Sequence, residues 1–270
     1  MPTKGKPFLE VFASALHEDY RFPILGIFAF LFALGTFVFA SFGPITTPQA
    51  IADESMAYNL TSSLLGLPLF IFVILVFKNV AYGLGNDLEN GVIQTYFSYP
   101  LKRRAILTAK LLSAIGLALV LFLTMQISAL YVLAPDIVSP HLGTVLLTYA
   151  ATLSPSLLLT GILLLVTLVL RRGGLALVVG IVLYFAISII GAMAMFVASA
   201  TRSPLALQML SLIAPNYVLQ QYYYSIPLPF VNDLWTPTFS EVLLYTGASY
   251  AIVGVLFFVG YVYFSRRLGL

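Results

Sequence analysis

Cysteine is absent from this chain of 270 residues, which excludes disulfides, iron–sulfur clusters and thiolate zinc sites. Charge is scarce as well: 9% of residues are Asp, Glu, Lys or Arg, where a soluble domain carries about a quarter. The chain lacks the Gly-x-Ser-x-Gly elbow of serine hydrolases and the Gly-x-x-x-x-Gly-Lys-Ser/Thr phosphate loop. These absences argue against covalent catalysis and against ATP hydrolysis by this chain, so no catalytic residue, metal site or cofactor is assigned to it. Nor does any stretch alternate apolar and polar residues in segments of about ten, the pattern of a membrane β-barrel.

What remains is apolar. Hydrophobic residues make up 60% of the chain and its mean hydropathy is +1.01. Six runs, at 24–52, 55–77, 111–135, 142–170, 173–201 and 242–265, contain no Asp, Glu, Lys, Arg or His. Each is long enough to cross a bilayer as a helix, which takes about 20 residues. The fold class that follows is an all-α integral membrane protein, one transmembrane domain over 1–270. Its spans are expected at 24–42, 62–85, 105–133, 144–170, 174–199 and 242–264.

Basic residues set the orientation. Of the 13 Lys and Arg, all but Arg202 lie at the N-terminus, in the second and fourth connections or at the C-terminus. Both termini are therefore expected in the cytoplasm. Lys102, Arg103, Arg104, Arg171 and Arg172 read as topology anchors against lipid headgroups, so the pI near 9.0 gives no support for nucleic-acid binding. His17 and His141 fall on opposite sides of the membrane and cannot share a metal. No ionisable residue lies deeper than the edge of a span, which argues against an ion-coupled carrier or proton pump. The amide of Gln126 and the hydroxyl of Thr124 are the candidate path groups at depth.

Three polar or aromatic segments interrupt the runs. Residues 8–21 fit an amphipathic elbow helix lying along the cytoplasmic surface. Phe8, Phe12, Leu16 and Tyr20 are on one side, Glu10, Ser14, His17 and Glu18 on the other. Asp19 falls on the apolar side, where it is placed to cap the first span. The outer segment 203–240, rich in Tyr, Phe and Pro, is too long to be structureless and predicts one or two short re-entrant or interfacial helices. Within it Tyr222, Tyr223 and Tyr224 are candidate substrate contacts, the alternative being a plain interfacial belt.

The third segment separates spans two and three. Asn86 and Glu89 have the spacing of a capping box and predict a helix over 87–99, ended by Pro100. Leu88, Val92, Ile93, Tyr96, Phe97 and Tyr99 share its apolar face, with Asp87, Asn90, Gly91 and Gln94 opposite. A passive turn needs only a handful of residues. An exposed apolar face with polar flanks is the form of a helix-in-groove docking element; an interfacial helix that only turns the chain is the plain alternative.

Here the sequence resembles a known family. Glu89 and Gly91, an apolar-aromatic helix, then Pro100, Arg103, Arg104, Ile106, Leu107, Lys110, Leu111 and Leu112 are similar to the pattern of type-2 ABC transporter permeases. The likeness extends to an elbow helix, six spans, both termini inside and a long outer segment between spans five and six. It implies that Glu89, Gly91, Val92, Ile93, Tyr96, Phe97 and Tyr99 form the coupling helix, seated in a separate ATP-binding-cassette ATPase subunit that supplies the ATP and Mg chemistry. It further implies an exporter in a prokaryotic cell membrane. There a second permease copy or a paralogous permease completes a central path. The Tyr-Tyr-Tyr run lies outside the family's pattern, and the uncharged midplane points to apolar or amphipathic cargo. A secondary transporter and a non-transporting membrane scaffold are the alternatives.

Overall fold

A chain in hydrocarbon must satisfy each peptide group within its own segment, and runs of this length do so as helices. The computed structural model describes residues 7–42, 53–97, 100–223 and 235–267, and among them every regular element is helical. Helix α1 (Pro7–Asp19) bends by 66° into α2 (Ile24–Phe42). Helix α3 (Asp53–Phe77) continues without interruption through a π-helical stretch, π1 (Lys78–Leu84), into α4 (Gly85–Glu89). After the short α5 (Val92–Phe97) comes a second composite helix: α6 (Arg103–Leu111), π2 (Leu112–Gly116) and α7 (Leu117–Leu133). A turn, α8 (Pro135–Val138), leads to the long α9 (Leu142–Leu170) and α10 (Gly173–Thr201). Two short helices, α11 (Leu205–Ser211) and α12 (Asn216–Tyr223), precede α13 (Phe239–Arg267).

Five of these helices, over 54–89, 103–133, 142–170, 173–201 and 239–266, are long and apolar enough to cross a membrane, and α1 with α2 adds a sixth if that bent pair is one span. The architecture is that of an all-α multi-pass membrane protein. Its spine is α9, which packs along α13, α3 and α10. In its most apolar stretch 61% is buried, against 17% for α10, so α10 stands at the periphery.

Small and hydroxylated residues let the spine pack closely. Gly161 and Gly260 admit Leu256 and Leu164 across the α9–α13 seam, where the Ser154 and Ser249 hydroxyls hydrogen-bond at 2.6 Å. The Tyr250 hydroxyl donates to the Ala150 carbonyl at 3.0 Å. Phe32, Phe72, Phe122 and Tyr149 form an aromatic centre between α2, α3, α7 and α9.

Several boundaries differ from expectation. The second long helix in the sequence starts at Asp53 and runs to Glu89 rather than over 62–85, and the third starts at Arg103. The last starts at Phe239, three residues before 242, because Thr238 and Glu241 form a capping box: the Thr238 amide donates to Glu241 Oε2 at 2.6 Å and the Glu241 amide to Thr238 Oγ1 at 3.4 Å. The box expected at Asn86 and Glu89 does not form. Their amides lie inside a helix already running, so no free N-terminal donors exist there to cap.

Candidate functional site

The helix expected over 87–99 is two pieces. Helix α4 ends at Glu89, Gly91 adopts a φ of 72°, and α5 starts afresh at Val92. A left-handed backbone favours glycine, so Gly91 breaks the helix where side-chain periodicity shows only continuity. The face expected to dock is also redistributed. Ile93 is buried in the chain's own core, and Tyr96 and Phe97 are half-buried against it. The Phe97 ring meets Phe264 edge-on at 6.1 Å and carries the Arg103 guanidinium at 5.0 Å; the Lys110 ammonium lies 5.0 Å from the Tyr96 ring. What faces outward is Glu89, Asn90, Val92, Gln94 and Thr95. Tyr99 lies outside the described residues.

Behind this corner is a buried polar node. Lys110, 6% exposed, bridges Asp87 at 2.7 Å and Glu18 at 2.8 Å. Asp19 is 5% exposed and accepts the Ser113 hydroxyl at 2.6 Å, while the Lys78 ammonium donates to the Asp19 carbonyl at 3.0 Å. The Tyr20 hydroxyl donates to the Ala114 carbonyl at 3.0 Å. Lys78 and Asn79 lie on π1, Ser113 and Ala114 on π2, so both π-helical stretches meet the end of α1 at one place. π-Helical turns inside α-helices are frequent at functional sites.

Burial pushes the Asp19 carboxyl up to about 6, against a hydrogen bond from Ser113 and the Lys110 and Lys78 charges that pull it down. The Asp19 carboxylate is engaged by Ser113 on π2. It is the anchor that ties α1 to the long helices, because Val11, Ala15 and Asp19 form a buried stripe at helical spacing against α6 and π2. Lys110 is likewise an ion-paired core residue, not a surface cation.

Glu89 has left its own helix end to serve another. Its Oε2 accepts the Gly173 amide at 3.3 Å, at the start of α10. Close approach makes this reachable: a Cβ on Gly85 would come 2.6 Å from Gly173 Cα, so α4 and α10 touch backbone to backbone. Arg171, at a φ of 53°, ends α9, and Arg172 is extended at the start of α10; both are exposed, as are Lys102 and Arg104.

The candidate path residues do not converge. Gln126 is fully buried and donates to the Thr36 hydroxyl at 2.7 Å, joining α7 to α2, whereas Thr124 is exposed. Tyr222 and Tyr223 lie elsewhere, at the end of α12, with ring centres 4.8 Å apart, and Tyr223 stacks on Tyr58 at 5.1 Å. Tyr224 lies outside the described residues. The Tyr223 hydroxyl and that of Thr144 both donate to Glu54 Oε1, at 3.2 and 3.1 Å. In the sequence Glu54 stands beside Asp53 in the first outer connection, where a carboxylate at the start of a span carries no signal of a site. The node at Asp19 left one: an acidic residue on the apolar side of an amphipathic helix.

No family model and no curated protein matches the chain.

Proposed function

We propose that the chain is the permease subunit of an ATP-driven transporter of exporter type, moved by a separate ATP-binding-cassette ATPase that docks at the α4–α5 corner. The observation that carries this reading is how that corner is fastened. Asp87 is pinned to Lys110 on α6 and, through Lys110, to Glu18 on α1, while Glu89 holds the start of α10. A push on Gly91 and its neighbours therefore moves three helices together. A turn that served only to reverse the chain has no need of such fastening.

In this reading the node end faces the cytoplasm, ATP and Mg belong to the partner, and Asn90, Val92 and Gln94 are the contact. Val178, Val182, Phe185, Ile189 and Phe196 form an exposed apolar face along α10, available to lipid or to a second or paralogous permease.

The test is purification of the full chain from its native membrane in mild detergent. A stoichiometric companion carrying the phosphate-loop motif and hydrolysing ATP is expected, and V92D, which puts a charge on the exposed corner, releases it. Wild-type chain that copurifies with no ATP-hydrolysing subunit would refute the proposal.

A further inference from the structure

At the end of α3 opposite the Lys110 node lies a cavity of about 340 Å³, lined by Glu54, His141, Thr144, Tyr223, Phe239 and Leu243 among others. That volume is in the range of small-molecule sites. We propose that this cavity binds an ammonium group carried on an apolar chain.

The polar wall consists of acceptors. Thr144 and Tyr223 are 5% and 4% exposed, and each directs its hydroxyl at Glu54 Oε1. A hydroxyl has one hydrogen. The two hydroxyl oxygens also lie 3.3 Å apart, so their hydrogens are spent within the Glu54, Thr144 and Tyr223 cluster, and what faces an incoming group is lone pairs and the second carboxylate oxygen. Burial, with the Glu54 charge beside it, pushes the Tyr223 phenol up to about 12, so it remains a donor to Glu54 at physiological pH. Among the described residues no Lys or Arg lines the cavity and none forms an ion pair with Glu54. Among the described lining residues His141 is the sole basic one.

Glu54 is exposed, so its charge is available to a ligand: an anion would lie against that charge, and a neutral ligand makes no use of it. An ammonium supplies both the charge and the donors. The rest of the wall, Leu147, Phe239 and Leu243, suits an aliphatic tail. Tyr223 is held in place by its stack on Tyr58, so the acceptors are pre-set rather than recruited. The site stands whether or not an ATPase docks at the other end.

The experiment uses the full chain in phosphatidylcholine nanodiscs. Trp235, the single Trp, belongs to the same apolar cluster as Tyr58 and Tyr223 and reports binding by its fluorescence. n-Hexylammonium is expected to give a saturable change, with 1-hexanol and hexanoate about tenfold weaker or more. E54Q lowers hexylammonium affinity by about tenfold and leaves hexanol unchanged. Equal affinity of wild type for the three probes overturns the proposal, as does equal affinity of E54Q and wild type for hexylammonium. Should E54Q fail to fold, the three-probe comparison on wild type decides alone. Phosphatidylethanolamine in the disc separates the two sources of the group: competition with hexylammonium identifies a lipid headgroup, and its absence a soluble amphiphile.

Discussion

Replacing Lys110 with methionine tests whether the node fastens the helices. The substitution keeps the length and apolar stem but removes the charge that faces Asp87 at 2.7 Å. Asp87 has a side chain only 4% exposed, so its carboxylate is left without a counterion in a place that water does not reach. Breaking a buried pair from one side costs about 3–5 kcal/mol. The second partner behaves differently. The Glu18 side chain is 48% exposed, so solvent screens its attraction and E18Q costs about 1 kcal/mol or less. The double variant K110M/D87L removes both charges together and recovers most of the loss. Unfolding in mixed micelles of mild and denaturing detergent measures all three. The reasoning fails if K110M is as mild as E18Q, or if the double variant is no more stable than K110M.

Three further outcomes follow from the same geometry. Asp19 has its carboxyl raised from 3.8 to about 6, so the native state holds a proton that the unfolded chain has released. Its contribution to stability is present below about pH 4 and is lost as pH rises towards 6. D19N should gain on wild type over that window by up to about 3 kcal/mol, read from paired unfolding curves, and a constant difference would sink the assignment. G91A should cost about 1 kcal/mol, because its φ of 72° penalises any Cβ although nothing lies within 4 Å of one; G174A, equally open but at an ordinary φ, is the control and should be neutral or better. G85A forces apart backbones that would meet at 2.6 Å, and should expose the Gly173 amide to faster hydrogen exchange while that of Ala176 is unchanged.

Apolar run length made the spans legible, since it reports a solvent requirement that no tertiary contact alters. Run length could not show where a helix continues past its apolar part. Residues 53–61 and 86–89 extend the helix beyond the expected 62–85, and helical hydrogen bonding carries through them whatever their hydropathy. The apolar face of residues 87–97 shows a related limit. Tyr96 and Phe97 have the right periodicity for an exposed apolar stripe, but periodicity cannot say what packs on it, and here Phe264, Arg103 and Lys110 of the same chain half-bury it. Glu89 looked like a local cap because its partner, Gly173, is distant in sequence. Asp19 was visible as an anomaly on the apolar side of α1, and the anomaly was the signal.

The two π-helical stretches have a consequence for how these helices are phased. A π turn spends about one residue more than an α turn, and one residue is about 100° of helical rotation. Beyond π1 and π2 the side chains are therefore set in a different angular frame from those of the apolar body, and Asp87 meets Lys110 in those offset frames. Deleting one residue from either stretch leaves Asp87, Lys110, Glu18 and Glu89 all present but turns one end of its helix by about a quarter to a third of a revolution. Deleting a residue other than Lys78 or Ser113 disengages the corner from the spans while every residue of the node is kept.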